Sequence, residues 1–389
     1  MDHTTQHPQS TIVIIGSGLA GFTVIREIRK LDKVVAITLI TREPGYFYSK
    51  PMLSTALASK KDIEQLISTA QEGMATQLDI TILSETEVSS INTDLQIVST
   101  SKGTIPFGKL VLALGADQIR LPLEGTAASE VLTVNDLEDY AKFRQAIAGK
   151  KKVTILGAGL IGCEFANDLV LGSYEVDVID LAPQALGRIL PIEAAQALQA
   201  KLSTAGVRWH FGTTVQSIHR AGNNLQISLT NGNSIQSEVV LSAVGLRPRL
   251  DLAKAAGIKT HLGIVVNRHL ETSAKNIYSL GDCAEVDGLV LPYVMPIMQA
   301  ARALAPTLVG QKTALSYPAM PVMVKTPAWT TIVSPPENGL SGKWKTTSSD
   351  DGVEARFESA DGKLLGFVLM GSASSQRGAF TKELPPILQ

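Results

Sequence analysis

Two stretches of the chain share one pattern of apolar and polar positions. Each begins with a short β-branched run, at residues 11–15 and 153–156, and continues through a glycine-rich turn into a helical stretch. A second apolar run follows each helical stretch, at residues 36–40 and 175–179. This order predicts two β-α-β units of the kind that binds dinucleotides.

Other short apolar runs predict buried strands that end at a glycine turn, namely residues 110–114, 239–244 and 277–280. After Gly310 the prolines become frequent, and an Asp-Gly pair at 361–362 predicts a hairpin. We therefore expect an α/β fold with two Rossmann-like dinucleotide-binding domains and a small C-terminal α+β domain.

The composition argues against several classes of protein. Among 389 residues, 35 Lys and Arg balance 36 Asp and Glu, and the formal net charge of -1 gives no reason to expect a nucleic-acid partner. No apolar run approaches the ~18 residues of a membrane span, and residues 1–10 lack the apolar core of a signal peptide. We therefore expect a cytoplasmic protein without a membrane span.

The two cysteines, Cys163 and Cys283, lie far apart in the sequence. Neither belongs to a spacing that is typical of a zinc site or a disulfide framework, so no metal site is expected. We interpret both as small, buried packing residues, and a lone reactive thiol is the alternative.

Each glycine-rich turn has the spacing G-x-G-x-x-G. The first copy contains Gly16, Ser17, Gly18, Leu19, Ala20 and Gly21. The second copy contains Gly157, Gly159, Leu160, Ile161 and Gly162. In such a turn the first glycine permits the sharp bend, the second lets backbone N–H groups approach a pyrophosphate, and the third lets the helix pack on the strand. A single copy is weak evidence, but two copies, each between a strand and a helix, favour two dinucleotide sites over two structural turns.

Candidate ribose-binding residues stand at the end of the second strand of each unit. In the second unit this residue is Asp180, whose carboxylate can accept hydrogen bonds from a ribose diol and would repel a 2′-phosphate, which favours NADH over NADPH. An exposed acidic turn residue is the alternative, and the nearby Arg188 offers a partner to a phosphate. In the first unit the corresponding residues are Thr41, Arg42 and Glu43, of which Glu43 is the better ribose candidate.

The assignment of the cofactors to the two units rests on Asp282, which follows Gly281 directly after a predicted buried strand. A carboxylate there can hydrogen-bond a ribityl hydroxyl or the phosphate region of FAD, and a helix predicted over 294–304 would direct its N-terminus, at Val294, toward the flavin. An Asp that only caps a helix is the alternative. We therefore assign FAD to the first unit and the nicotinamide dinucleotide to the second.

On these residues the chain resembles the flavoprotein reductases related to glutathione reductase, which have two dinucleotide-binding domains. The resemblance lies in residues 16–21, 112–115, 157–162, 243–245 and 278–284. Members of that family that reduce disulfides have a redox cysteine pair, and this chain has none. The resemblance therefore implies that electrons leave the flavin without a protein dithiol.

More specifically, residues 48–54, 157–164 and 323–327 are similar to the rubredoxin–NAD reductases. The C-terminal segment reads KTPAW, where related ferredoxin reductases tend to have a motif with tryptophan and aspartate. The resemblance implies that NADH reduces FAD and that FAD passes single electrons to the one-iron protein rubredoxin. It also implies that FAD is held by residues 17–20 and by Thr41, Arg42, Lys50, Val88, Asp282, Val294 and Lys325.

We expect Lys50 and Glu164 to form an ion pair near the reactive edge of the flavin, on the basis of the resemblance. Glu164 lies one turn into the second glycine-rich helix, where it would face the nicotinamide, and the ion pair would orient both rings. Gly245 is assigned to the NAD site. A solvated lysine and an ordinary helix glutamate are the alternative. Hydride transfer needs no acid or base from the protein, only close positioning and the exclusion of water.

The expected FAD-binding domain consists of residues 1–117 and 247–318, the NAD-binding domain of 118–246, and the C-terminal domain, near flavin and acceptor, of 319–389. A ferredoxin, a flavorubredoxin, a quinone or oxygen stays open as the acceptor, and so does a redox-sensing protein that binds FAD and NADH. The resemblance suggests electron supply for alkane degradation or oxygen reduction. The sequence leaves the choice between monomer and homodimer open.

Overall fold

The computed structural model describes residues 11–389. Residues 1–10, for which the sequence predicts a polar segment without a signal peptide, lie outside the described residues. Among residues 11–389, no helix combines the length and the apolar character that crossing a membrane requires.

The first unit is built on a parallel sheet of five strands. In spatial order the strands are Ile277–Ser279, Lys109–Leu112, Ile12–Ile15, Ile37–Ile40 and Thr81–Leu83. The central strand is buried at all four positions, which is why it reads as an unbroken apolar run rather than an alternating one. The helices Leu19–Leu31, Gln71–Leu78 and Val294–Leu308 contribute to the hydrophobic core on one face of this sheet.

The second unit repeats this design. Its parallel strands are, in spatial order, Leu132–Thr133, Val239–Ser242, Lys152–Leu156, Glu175–Asp180 and Val207–Phe211. One face packs against the helices Leu137–Ile147, Leu160–Leu171 and Ile192–Thr204. The other face packs against an antiparallel sheet made of Val215–Ala221, Asn224–Leu229 and Ser234–Ser237. Both faces of the parallel sheet are therefore covered.

A short antiparallel ribbon connects the two units, because Ala116–Gln118 pairs with Leu246–Pro248. The chain leaves the first unit along one strand of this ribbon and returns along the other. The remaining short strands are Phe47–Tyr48, Ile67–Thr69, Val88–Asn92, Ile97–Thr100, Gly103–Pro106, Ile264–Val266 and Ala284–Val286. The remaining short helices are Lys50–Thr55, Ile63–Leu66, Ala128–Glu130, Asp251–Ala255 and Ser372–Gln376.

The third unit is an antiparallel sheet of five strands followed by the helix Arg377–Glu383. In spatial order the strands are Val322–Val324, Thr331–Ser334, Leu364–Gly371, Gly352–Glu358 and Lys343–Ser348. The predicted hairpin is confirmed as the pairing of the fourth strand with the third. Val333 and Val353 share one hydrophobic core with Leu198 and Leu202 of the second unit.

The predicted fold class is confirmed: two Rossmann-like units precede a small C-terminal α+β unit. Two predicted strand ends are wrong by two residues. The strands predicted over 110–114 and 239–244 end at Leu112 and Ser242. The chain leaves the sheet there because Gly115 and Gly245 take positive φ values of 70° and 121°, which a strand does not permit.

Candidate functional site

The first glycine turn, residues 16–21, has two glycines that packing requires and one that faces open space. A Cβ at Gly16, whose φ is 114°, would lie 2.2 Å from the Ala113 carbonyl oxygen, and a Cβ at Gly21 would lie 1.9 Å from that of Gly16. A Cβ at Gly18 would meet no atom within 4 Å. The middle glycine thus keeps a space clear over the N-terminus of the helix, where a pyrophosphate is expected to bind.

The second glycine turn has the same division. A Cβ at Gly157, whose φ is 104°, would lie 2.6 Å from the Ala243 carbonyl oxygen, and one at Gly162 would lie 1.9 Å from that of Gly157. Gly159 again faces open space. Leu160 and Ile161 open the helix next to this space. Both turns therefore have the shape that a dinucleotide site needs.

At the end of the second strand of the first unit, the structure brings the predicted side chains close to the glycine turn. The hydroxyls of Ser17 and Thr41 are hydrogen-bonded at 2.8 Å, and Thr41 Oγ1 accepts a bond from the Glu43 amide at 3.1 Å. Arg42 lies 4.0 Å from Asp117. Burial raises the pKa of the Glu43 carboxyl, and the nearby Asp136 carboxylate raises it further.

Asp180 holds the backbone around the second glycine turn. Its Oδ2 accepts a hydrogen bond from the amide of Ala158, inside the turn, at 2.5 Å. Its Oδ1 accepts one from the amide of Ala182 at 2.7 Å. The carboxylate therefore lies at the mouth of the turn, where the sequence predicts a ribose.

The surroundings of Asp282 show whether the residues near the first glycine turn fit FAD. It follows Gly281, whose φ of 83° and whose approach to Ala20 leave no room for a side chain. Asp282 Oδ1 is buried without a hydrogen-bond partner, and burial raises the pKa of this carboxyl although Lys50 and Arg249 oppose the shift. An unpaired buried acceptor beside an open glycine turn fits a cofactor hydroxyl, so the site fits FAD.

Lys50 lies at the boundary between the two dinucleotide-binding units. Its ammonium donates to Asn135 Oδ1 at 2.5 Å, and Asn135 Nδ2 in turn donates to the Ala116 carbonyl at 2.9 Å. Burial lowers the pKa of Lys50, and the Asp282 carboxylate opposes this shift. Lys50 is thus a largely desolvated cation whose charge interacts with the Asp282 carboxylate.

The predicted ion pair between Lys50 and Glu164 is wrong, because Glu164 pairs with Lys325. Glu164 Oε1 accepts from the Lys325 amide at 2.9 Å, and Oε2 accepts from the Ser54 hydroxyl at 2.6 Å. Lys325 Nζ also donates to Ser54 Oγ at 2.9 Å. Ser54 lies one turn beyond Lys50 in the short helix Lys50–Thr55, and it is this later residue that reaches Glu164.

The other predicted site residues, Val294, Gly245 and Val88, have fewer contacts with the rest of the site. Val294 is the first residue of its helix and is 41% exposed. Gly245 lies in the turn before the connecting ribbon, where its carbonyl accepts from the Ile119 amide at 3.0 Å. Val88 packs at the edge of the hydrophobic cluster that contains Ile40, without a polar contact to the site.

Three residues of this site were missed from the sequence. Ser54 lies in the segment that carries the resemblance, but its hydroxyl bond to Glu164 depends on tertiary structure. Asn135 follows a two-residue strand, which has no readable pattern. Arg249 donates to the Leu114 carbonyl at 2.9 Å and pairs with Asp117 at 2.6 Å. Nothing in the local sequence distinguishes it from a surface arginine.

The interpretation of the cysteines as buried packing residues is confirmed, since Cys163 and Cys283 are both free and fully buried. Burial raises the pKa of each thiol, so neither is poised as a thiolate.

Comparison with known proteins gives matches over almost the whole chain. The family model described as pyridine nucleotide-disulphide oxidoreductase matches residues 10–305, and the one described as rubredoxin binding C-terminal domain matches residues 314–384.

The chain is 47% identical to a rubredoxin-NAD(+) reductase of Alcanivorax borkumensis, over 98% of this chain and 100% of that one. It is 46% identical to a rubredoxin-NAD(+) reductase of Acinetobacter baylyi, over 98% and 99% of the two chains. Among solved structures, the ferredoxin reductase for the CYP199A2 system from Rhodopseudomonas palustris superimposes with a TM-score of 0.88 at 27% identity, covering 97% and 96% of the chains.

Two glycine turns on two parallel sheets, with a carboxylate at each, define an oxidoreductase of the two-dinucleotide class. The chain belongs to the pyridine nucleotide-disulphide oxidoreductase family and, within it, to the rubredoxin-NAD(+) reductases. The resemblance that the sequence motifs indicate is thereby confirmed.

Proposed function

We propose that the protein is an FAD-dependent enzyme that transfers electrons from NADH to rubredoxin. The observation that carries this proposal is the placement of the C-terminal unit. The segment that matches a rubredoxin-binding domain packs on the NAD-side helix, and its Lys325 reaches Glu164 near the glycine turn. The segment that matches the rubredoxin-binding family model is thus joined to the unit that we assign to NADH by buried polar contacts and by a shared hydrophobic core.

In this proposal, the first glycine turn and Asp282 would hold FAD. The residues assigned to it are Gly16, Ser17, Gly18, Leu19, Ala20, Gly21, Thr41, Arg42, Glu43, Lys50, Val88, Glu164, Asp282, Val294 and Lys325. The open space at Gly18 and the unpaired Oδ1 of Asp282 support the assignment. Thr41 contributes by fixing the hydroxyl of Ser17 beside the turn.

NADH binds at the second glycine turn. The residues assigned to it are Gly157, Gly159, Leu160, Ile161, Gly162, Asp180 and Gly245. Asp180 favours NADH over NADPH because a carboxylate at the mouth of the turn repels a 2′-phosphate.

Bound at these residues, FAD would supply the chemistry that converts a two-electron hydride from NADH into single electrons for a one-iron acceptor. The chain's own residues provide positioning and charge. Lys50 and Lys325 each place a positively charged ammonium group at the boundary of the domains. Asn135 accepts a hydrogen bond from Lys50, and Glu164 pairs with Lys325. Glu164 and Asn135 are buried, so they hold the partly buried ammonium groups where water has limited access.

We assign residues 1–117 and 247–318 to the FAD domain, 118–246 to the NAD domain and 319–389 to the C-terminal domain. The sheet pairing supports this division, since Ile277–Ser279 pairs with Lys109–Leu112 across the whole NAD domain. We place the enzyme in the cytoplasm, where NADH is available. Electron supply for alkane degradation or oxygen reduction stays a prediction.

A competition between acceptors tests this function. Purified holoenzyme is given NADH with either rubredoxin or a [2Fe–2S] ferredoxin at equal concentration, and reduction of each carrier is followed by its absorbance. We expect the kcat/KM for rubredoxin to exceed that for ferredoxin by at least about 100-fold, as separate docking surfaces allow. Equal rates with both carriers, or no reduction of rubredoxin, would contradict the proposal.

A further inference from the structure

The helix Leu160–Leu171, here called the NAD helix, has three buried polar residues on one face. Glu164, Asn167 and Asp168 are three and four residues apart, and their exposed fractions are only 3%, 1% and 2%. Such residues are rarely buried unless each has a partner. The hydrogen-bond partners of all three lie outside the NAD domain.

Asp168 binds the FAD-side segment that carries Lys50. Its Oδ2 accepts from the Leu57 amide at 3.1 Å, and its Oδ1 accepts from the Ala58 amide at 2.9 Å. These two amides lie two and three residues beyond the end of the short helix Lys50–Thr55. Asp168 therefore fixes the chain just beyond the helix whose first residue is Lys50, and it does so from the NAD domain.

Asn167 binds the C-terminal domain instead. Its Oδ1 accepts from the Ala328 amide at 3.2 Å. Ala328 lies three residues beyond Lys325 and directly before Trp329, whose ring stacks under the ammonium of Lys201 at 4.2 Å. Asn167 thus holds the segment that brings Lys325 to Glu164.

We propose that Asn167 and Asp168 are positioning residues with divided tasks. Asp168 holds the Lys50 segment in the position that reduction of the flavin by NADH requires. Asn167 holds the Lys325 segment and the C-terminal domain in the position that electron transfer to the acceptor requires. Neither side chain is placed at either glycine turn, so each acts through the segment that it binds. This inference rests on the proposed function for the identity of the acceptor.

The first test uses amide hydrogen exchange of the holoenzyme, which does not depend on activity. In Asn167→Ala, peptides that cover 325–329 should exchange about tenfold faster while those that cover 55–60 stay unchanged, because one buried hydrogen bond is lost at one end only. In Asp168→Asn, which is isosteric but presents an amino group to one of the two amides, the reverse pattern is expected. If both variants loosen both segments alike, the division of tasks is refuted.

The second test separates the two half-reactions. Asn167→Ala should raise the KM for rubredoxin about tenfold and leave the rate of flavin reduction by NADH unchanged. Asp168→Asn should slow flavin reduction about tenfold and leave the KM for rubredoxin unchanged. Leu169→Ala is the matched control, because it loosens the same helix's core without removing a bond between domains. It should lower the thermal midpoint and change neither constant.

If Asn167→Ala does not retain FAD, Asn167→Ser replaces it, since it also removes the bond to Ala328 but leaves a smaller cavity. Effects on both half-reactions from either residue, or from Leu169→Ala, would overturn the inference. Failure of the proposed function looks different, because the parent enzyme would then not reduce rubredoxin while the exchange pattern of the variants would still hold.

Discussion

The carboxylate of Asp282 has the environment that most directly indicates a bound ligand. A buried carboxylate oxygen without a partner costs free energy, and burial raises the pKa of the group. Beside an open glycine turn, such an atom is a position that a ligand hydroxyl can satisfy. The same reasoning distinguishes Asp282 from Asp180, whose oxygens already accept two backbone amides.

Replacing Asp282 by alanine should therefore weaken FAD binding by roughly 10- to 100-fold, the loss of a hydrogen bond to a charged group. The dissociation constant is measured from the quenching of flavin fluorescence in titrations of the FAD-free protein. Asp287→Ala is the control, since this half-exposed residue five positions later makes only a 3.6 Å surface pair with Arg268. An unchanged affinity in Asp282→Ala would remove this residue from the FAD site.

The buried ion pair gives a second prediction at this scale. Lys325→Met leaves the Glu164 carboxylate buried without its cation and should lower the free energy of unfolding by about 3–5 kcal/mol. The double variant with Glu164→Gln should recover most of that loss, because no unpaired charge remains. Urea denaturation of the holoprotein measures both. Lys345→Met, which breaks an exposed pair with Glu358, is the control and should have little effect. Additive losses in the double variant would argue against a coupled pair.

At the scale of elements, the two glycine turns were predictable because their chemistry is local. A strand, a bend with positive φ and a helix follow each other within about 20 residues, so apolar period and glycine spacing suffice. The partner of Glu164 was not predictable in this way. Lys325 and Ser54 are brought to Glu164 only when three units pack together. The sequence predicts Lys50 as the partner, but the residue of that helix that reaches Glu164 is Ser54, one turn later. The strand Leu132–Thr133, which precedes Asn135, was equally unpredictable because two residues show no periodic pattern.

Alanine at two glycines of the first turn should have different effects. In Gly21→Ala the new methyl would meet the Gly16 carbonyl oxygen, so the helix must shift and the thermal midpoint should fall by several degrees. In Gly18→Ala the methyl meets no protein atom, so the FAD-free protein should unfold as the parent does, while FAD affinity falls. Calorimetry of the FAD-free protein and flavin titration separate the two effects. A stable Gly18→Ala protein with full FAD affinity would contradict the assigned site.

The Asp177 carboxyl, on the strand Glu175–Asp180 of the NAD-domain sheet, makes the stability of the protein depend on pH. Burial alone would raise the pKa of Asp177, but hydrogen bonds from His210 and Arg208 and the charge of Lys152 outweigh it and hold the pKa well below its usual range. A carboxyl whose pKa is lowered by folding stabilises the protein above its unfolded pKa of about 4, and this contribution is lost as the pH falls below that value. Asp177→Asn should therefore be less stable near neutral pH and lose less stability on acidification. Urea denaturation between about pH 6 and pH 3 measures this, and parallel curves for parent and variant would contradict it.

At the scale of the whole molecule, the C-terminal unit is part of the NAD domain's core rather than an appended module. Val333, Val353 and Trp329 lie in the same hydrophobic cluster as Leu198 and Leu202. The unit that matches the rubredoxin-binding family model is thus packed on the unit that we propose binds NADH. Ser54 of the first unit contacts both, through Glu164 and through Lys325.

The most direct test is anaerobic stopped-flow absorbance of the FAD-loaded enzyme in two separate mixing steps. Mixing with NADH should bleach the flavin within milliseconds to seconds, and mixing the reduced enzyme with rubredoxin should restore the oxidised flavin spectrum and bleach rubredoxin, two equivalents for each flavin. Rapid bleaching by NADH followed by slow return with rubredoxin, no faster than with ferredoxin, would contradict the account.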